Sequence, residues 1–334
     1  MTYLDLFSLP FMQRALLAAL LTGLAAPAIG TFIVQRRLAL LGDGIGHVAV
    51  TGVALGLLTG TSPTWTAIAV AVLGAVLIEV IRERGHTNGD VALALLFYGG
   101  LAGGVMITGI AGQGAATLQA YLFGSLNSIS SGDVWFTAVM TVVVLAVALG
   151  LSPQLFAVAS DQDFARVAGL RVRAYNLLIA VLAAVSITVA MRTVGLLLVS
   201  ALMVVPVATS QQLARSFRTT LLGAMAVGCL ASVGGLVVSA ALSFRVSVTP
   251  GPTIVLLALA MFTATWPIGA WLRRRRQLLA PFPEVRAIPH RSPDQHPHAH
   301  GTDCGHPAVP HGDHVDYVHD GHRHAVHGEH YDEH

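Results

Sequence analysis

Lysine is absent from this sequence of 334 residues, whose 19 basic side chains are all arginine. This absence excludes every chemistry that needs a lysine amine, including a Schiff base and the phosphate-binding lysine of a P-loop ATPase. Charge of either sign is scarce, because Asp, Glu, Lys and Arg together make up 11% of the chain. A chain that is 54% hydrophobic, with a mean hydropathy of +0.69, is typical of an integral membrane protein and not of a soluble domain.

Cysteine is almost as rare. Cys229 lies within an apolar stretch and Cys304 lies in a polar tail, so neither a disulfide framework nor a CxxC site is expected. The first residues also lack the basic start and small-residue cleavage site of a signal peptide. Membrane targeting is therefore expected to depend on the apolar segments themselves.

Long apolar runs fill residues 1–276, the predicted transmembrane domain. A helix needs roughly 20 apolar residues to cross a bilayer, and this criterion predicts about nine spans, with eight or ten as alternatives. The predicted fold class is an all-α, polytopic transmembrane helical bundle. The predicted spans are 11–34, 38–59, 64–81, 90–110, 133–151, 174–191, 193–210, 219–242 and 252–272.

Arginine is distributed unevenly between alternate loops. Thirteen arginines fall in the loops of one side, and only Arg14, Arg192 and Arg245 fall on the other. Positive charge collects in cytoplasmic loops. The pattern therefore predicts a multi-pass protein of the cell membrane with its N-terminus outside and its C-terminus in the cytoplasm.

Asp43 and His47 lie four residues apart in an otherwise uncharged span, on one face of the predicted helix. A carboxylate costs at least ~2.5 kcal/mol near the bilayer centre, so it should face a partner or a hydrated path. An oxygen ligand with an imidazole suits a divalent cation such as zinc or manganese. Two structural alternatives stay open. His47 hydrogen-bonds the Asp43 carboxylate, or Asp43 lies close enough to the cytoplasmic end of the span to be hydrated.

Gly195 and Pro206 interrupt a later apolar segment. A proline inside a helix frees a backbone carbonyl and kinks the helix. These two residues are predicted to form either a gating kink or a packing kink.

The segment 161–173 is short and polar, and lies on the predicted cytoplasmic side. The spacing of Phe164, Val167 and Leu170 predicts a small amphipathic helix that could dock into a partner protein. The alternative is an ordinary interfacial loop.

Residues 277–334 contain almost no apolar run, so they are predicted to form a disordered cytoplasmic tail. Thirteen of the 15 histidines lie in this tail, interleaved with acidic residues and Cys304. Neutral imidazole binds metals, so the tail is predicted to bind metal ions, either in a physiological role or incidentally. The predicted ligands are His296, His298, His300, Cys304, His306, His311, His314, His319, His322, His324, His327, His330 and His334.

Several stretches together resemble the zinc and manganese ABC transporter permease family. The resemblance covers nearly all of residues 11–275 in order. The matching stretches are LLGDGIGHVAVTGVALG around 41–56, GHTNGDVALALLFYGGLAGGVMI at 85–107, YLFGSL at 121–126, DQDFARVAGL at 161–170, TVGLLLVSALMVVPVATSQQLA at 193–214 and VTPGPTIVLL at 248–257.

This resemblance implies a homodimer of permeases around one path, a separate cytoplasmic ABC ATPase and an extracytoplasmic metal-binding receptor. It also implies that Asp43 and His47 contact the transported ion. Asp161, Asp163, Ala165 and Gly169 fall in the stretch that looks like the ATPase-coupling helix. Ions are then cargo, so no tightly bound cofactor, no nucleic acid and no enzymatic activity of the chain itself are expected, and membrane lipid is the other partner.

The histidine-rich tail departs from the family pattern and favours zinc over manganese, since imidazole clusters prefer the later first-row metals. The alternative function is a proton-driven secondary metal transporter or exporter whose tail collects metal. Against it, the spans show one obvious buried carboxylate and no internal repeat of acidic residues.

Overall fold

The computed structural model describes residues 8–83, 89–112, 122, 124, 129–243, 248–279, 301–311, 314–319, 322–327 and 330–333. Within these ranges, nine helices are long and apolar enough to cross a membrane, which confirms the predicted helical bundle. They are α1 (Pro10–Gln35), α2 (Leu41–Thr59), α3 (Pro63–Glu83), α4 (Gly89–Ile110), α5 (Ser131–Gly150), α8 (Val172–Val194), α9 (Leu196–Leu213), α10 (Phe217–Leu242) and α11 (Pro250–Leu279). Two short helices, α6 (Ser152–Ser160) and α7 (Gln162–Val167), connect α5 to α8.

Burial separates the spans into an inner and an outer group. The apolar windows of α1 and α2 are each 72% buried and that of α8 is 67% buried, whereas those of α5 and α11 are 22% and 17% buried. The outer helices therefore present apolar side chains, such as Trp135 and Trp266, to lipid or to another membrane protein. The Asp43/His47 helix, α2, belongs to the inner group.

Glycines let the inner helices approach closely. A Cβ atom on Gly30 of α1 would overlap the backbone of Met203 in α9, and one on Gly52 of α2 would lie 2.6 Å from the Cα atom of Ala67 in α3. A Cβ atom on Gly56 would likewise overlap Oγ1 of Thr66 and lie 2.7 Å from the Cα atom of Pro63. Small residues at these positions are what close helix packing in a membrane needs.

Gly195 lies between two helices and not inside one. It ends α8 and caps the start of α9, with a φ of 92° that a residue with a side chain rarely adopts. Pro206, in contrast, is buried inside α9. The two residues of the predicted kink therefore lie at different kinds of position: Gly195 joins two helices, and Pro206 lies inside the second helix, eleven residues later.

The described part of the tail contains short strands. Four short strands form an antiparallel meander: β1 (Ala308–His311), β2 (His314–His319), β3 (His322–His327) and β4 (His330–Glu333). Alternating Val and Tyr residues and two-residue connections rich in Gly and Asp favour hairpins, and average composition does not register this pattern. The helix α11 also continues to Leu279, past the expected boundary at residue 276.

Candidate metal path and coupling segment

Asp43 and His47 lie on successive turns at the start of α2. Asp43 is in the first helical turn and partly exposed, and His47 is 6% exposed. The partial positive charge of a helix N-terminus favours an anionic side chain at such a position. Within the described residues, the Asp43 carboxylate has no hydrogen-bond or ion-pair partner, so its oxygens are available to a cation.

The hydrogen bond of His47 shows which ring nitrogen donates. Nδ1 lies 2.8 Å from the backbone carbonyl oxygen of Asp43. A carbonyl can only accept, so Nδ1 carries a proton and donates, and in the neutral ring Nε2 keeps its lone pair. His47 is thus held in the tautomer that binds a metal through Nε2, and it does not satisfy the Asp43 carboxylate as one alternative proposed.

Helix α4 holds His47 in place from the side. The ring of Phe97 lies 4.2 Å from that of His47, centroid to centroid. One turn further along α2, the hydroxyl of Thr51 donates a 2.6 Å hydrogen bond to the carbonyl of Gly100. The backbone of α4 can come this close because Gly100 has no side chain.

We expect Gly100→Ala to destabilise the protein by about 1–3 kcal/mol, because the added methyl group overpacks a tight helix contact. Its Cβ would lie 2.6 Å from the backbone nitrogen of Val48 and 2.7 Å from the carbonyl carbon of His47. Gly99→Ala is the matched control, since a Cβ there meets nothing within 4 Å. Thermal unfolding in detergent compares the two; equal melting temperatures would contradict the packing argument.

A buried hydroxyl lies beside the first turn of α2. Ser200 of α9 is buried, and its Oγ has no hydrogen-bond partner among the described residues. A Cβ on Gly42, next to Asp43, would lie 3.9 Å from this oxygen. An unsatisfied buried hydroxyl costs about 1–3 kcal/mol, so Ser200 is a further candidate polar group near the pair. Sequence reasoning missed it, because serine is common in membrane helices.

The segment 161–170 is a capped, anchored helix. The Asp161 carboxylate accepts hydrogen bonds from the backbone of Asp163 and Phe164 and so caps α7. Ala165 is fully buried against Val158 and Val172 of the flanking helices. Gly169 ends the turn with a φ of 82°. Asp163 makes a local ion pair with Arg166 at 2.8 Å.

The outer side of α7 is apolar and exposed. Phe164 is 65% exposed and Val167 is 88% exposed, although both are large hydrophobic residues. Burying them against another protein would be favourable. A buried anchor, a capped start and an exposed apolar pair thus occur together in this short segment.

Comparison with known proteins identifies the family. The model of the ABC 3 transport family matches residues 8–267. The chain belongs to this family. The Asp43/His47 pair and the helices α1 to α10, including α7, lie inside the matched region, which ends within α11.

Several curated relatives of this chain carry the names of metal transport proteins. The manganese import system permease protein ScaB of Streptococcus parasanguinis is 32% identical over 270 residues, which cover 81% of this chain and 95% of that protein. The high-affinity zinc uptake system membrane protein ZnuB of Haemophilus influenzae is 26% identical over 248 residues, covering 74% and 94%. Among solved structures, PsaBC from Streptococcus pneumoniae in complex with Fab matches with a TM-score of 0.72 and 28% identity, over 82% of this chain and 98% of that chain.

This ABC 3 family chain also contains a buried ion-pair cluster that sequence reasoning missed. Glu79 of α3 is 2% exposed and accepts hydrogen bonds from Arg36 at 2.7 Å and from Arg82 at 3.0 Å. Burial lowers the pKa of the Arg36 guanidinium, and Glu79 opposes this effect. The sequence feature that could have predicted this cluster is Glu79 itself, an acidic residue inside a predicted span and three residues before Arg82.

A second ion pair adjoins this cluster. Arg173, at the start of α8, lies 3.0 Å from Glu83. A cavity of about 880 Å³ beside it is lined by Arg82, Arg166, Arg171 and Arg173. Arginines from separate loops therefore meet at one end of the bundle.

The tail ligands are only partly within the described residues. His296, His298, His300 and His334 lie outside them. Cys304 and His306 precede β1, and the other predicted ligands lie in the strands: His311, His314, His319, His322, His324, His327 and His330. Among the side chains that the structure describes, no group of three or more His, Cys, Asp or Glu is placed to hold a metal ion.

Proposed function

We propose that this chain is the membrane-spanning permease subunit of an ATP-driven divalent metal importer, with zinc as the first candidate cargo and manganese as the second. The observation that carries the proposal is the pair on α2: an unpartnered carboxylate and, one turn away, a buried imidazole whose Nε2 is left to bind a cation. Oxygen and imidazole ligands suit both metals. The manganese and zinc permeases among the relatives support the same reading.

The proposed assembly has two copies of this chain, two copies of a cytoplasmic ABC ATPase and an extracytoplasmic metal-binding receptor. The N-terminus lies outside and the C-terminus in the cytoplasm. Two observations support this arrangement: arginines gather at one end of the bundle, beside α7, and the outer helices leave apolar surface for a second copy or lipid. Gly195 and Pro206 are the proposed points where α9 bends during transport.

A proton-driven transporter is not favoured. Such a protein needs membrane carboxylates that can take up and release protons. Glu79 is a buried carboxylate, but it is paired with two arginines. This ion-pair cluster serves packing and not proton transfer.

The test of the function is uptake of radioactive zinc and manganese into proteoliposomes that contain this chain, its ATPase and its receptor. We expect accumulation only when all three components and ATP are present, with zinc preferred when both metals compete. Metal movement driven by a proton gradient without the ATPase would overturn the proposal. Uptake of manganese alone would overturn the choice of cargo but not the mechanism.

Docking of the ATPase is proposed to depend on the exposed face of α7. We expect Phe164→Ala with Val167→Asp to reduce co-purification of the ATPase at least about tenfold, because an exposed apolar contact is lost and a charge is added to it. Arg166→Ala is the matched control, since Arg166 lies on the same helix but is exposed and paired with Asp163. Both variants should have the parent melting temperature, and undiminished ATPase binding by the double variant would exclude this face.

A further inference from the structure

The strands of the tail repeat with a period of eight residues. HGDH at 311–314, HDGH at 319–322 and HGEH at 327–330 each place two histidines around a two-residue connection. The strand register pairs these histidines: His311 is opposite His314, His319 opposite His322, and His327 opposite His330. Register partners in an antiparallel pair share a face of the sheet, with Cα atoms about 4.5–5.5 Å apart.

Four histidines belong to one row across the sheet. Asp316 of β2 is opposite Ala325 of β3, and His314 and His327 each lie two residues further toward the same end of the sheet. Because strand residues alternate between faces with a period of two, they share the face of Asp316 and Ala325. The pairs at each turn extend this row to β1 and β4. The first histidine row consists of His311, His314, His327 and His330.

Three histidines belong to a second row at the opposite end. The backbone nitrogen of Val318 donates to the carbonyl of Pro307 at 3.0 Å, so the pairing of β1 with β2 continues past Ala308. The next residues in that register are His306 and His319, and His319 is opposite His322. The second histidine row consists of His306, His319 and His322. It lies on the other face, because His319 is three residues from Asp316.

A buried carboxylate accompanies the first row. Asp316 is fully buried, and its Oδ1 lies 3.2 Å from Nε2 of His314. Carboxylates that contact a ring nitrogen of a metal-binding histidine orient the imidazole and raise its basicity. A buried carboxylate is also a group that a nearby cation stabilises.

We propose that the two histidine rows are two separate sites for a divalent cation that prefers imidazole, such as Zn²⁺, and that cation binding stabilises the sheet. Three or four histidines match the ligand number of a tetrahedral zinc site. A small sheet with few apolar residues is only marginally stable, and a metal that binds only the folded form adds its binding free energy to folding. This explains how a composition typical of disorder occurs in a sheet. The inference does not depend on the transport function.

The test is zinc binding by equilibrium dialysis to the full chain in detergent, in an Asp43→Ala, His47→Ala background that removes the proposed membrane site. We expect two tightly bound zinc ions. His311→Ala with His314→Ala, and separately His306→Ala with His322→Ala, should each remove one of them. The control, His290→Ala, removes a histidine of the tail that belongs to neither row and should remove none.

Register is tested apart from composition by inserting one alanine between Gly312 and Asp313. A shift of one residue moves strand residues to the other face, so all histidines remain while His306 and His311, which precede the insertion, leave the two rows. We expect this variant to lose at least one zinc ion, and zinc addition to slow amide exchange in 308–333 at least tenfold in the parent and by less in the variant. Zinc binding that falls with the number of histidines wherever they lie, or an insertion variant that binds like the parent, would overturn the proposal.

Discussion

ATP-driven metal uptake falls at least about 100-fold in Asp43→Asn and in His47→Ala. Each change removes one proposed ligand from the ion, and even loss of a residue that only supports a ligand costs 10–100-fold in metal affinity or activity. The measurement is initial uptake of radioactive zinc into proteoliposomes with the ATPase and the receptor. Asp43→Asn keeps the shape of the side chain, so its effect reports the charge.

His86→Ala is the matched control for these variants, because His86 is the other histidine that precedes the tail. Its uptake should equal that of the parent. All three variants should still bind the ATPase, which separates a lost metal path from a lost assembly. Parent-like uptake by both Asp43→Asn and His47→Ala would show that the metal path does not run along this face of α2.

The second large effect concerns stability: Glu79→Ala lowers the free energy of unfolding by about 3–5 kcal/mol. The change leaves Arg36 buried without its anion, and breaking a buried ion pair from one side costs this much. Nε and Nη1 of Arg36 already have no hydrogen-bond partner within the described residues, so Glu79 is the group that compensates this charge. Thermal unfolding in detergent measures the loss.

Glu83→Ala is the control for Glu79→Ala on the same helix. Glu83 also pairs with an arginine at 3.0 Å, but both side chains of that pair are partly exposed, and such pairs contribute about 0–1 kcal/mol. A double change, Arg36→Met with Glu79→Met, should recover most of the lost stability, because apolar residues can replace a buried ion pair. If Glu79→Ala and Glu83→Ala lowered the free energy of unfolding equally, burial would not determine how much an ion pair stabilises this protein.

The spans could be predicted from the sequence because the bilayer imposes one simple requirement, a run of apolar residues long enough to cross it. The nine predicted segments match the nine membrane helices of the described residues to within a few residues, and the break predicted between the spans 174–191 and 193–210 is a turn at Gly195. The pair Asp43 and His47 was also visible, since a carboxylate and an imidazole are rare in an apolar span. The resemblance to metal permeases is confirmed by the family match.

Other features depend on contacts that no single segment contains. The role of Glu79 could not be predicted from its own segment. Its partner Arg36 follows another helix and contacts it only in the folded protein. The tail was expected to lack structure because its average composition is typical of disorder. Average composition does not describe the order of residues around each turn. There the eight-residue repeat decides the pairing, but only the sheet shows which histidines oppose one another.

The sequence by itself determined the membrane class, the approximate positions of the spans, the resemblance to a family and the candidate ligands, because these follow from local composition and from motifs of neighbouring residues. The tertiary structure decided that the His47 ring donates to a carbonyl and not to the Asp43 carboxylate, that Phe164 and Val167 are exposed beside a buried Ala165, and that Glu79 joins two arginines. The physical reason is that tautomer, exposure and ion pairing depend on atoms brought together from distant parts of the chain.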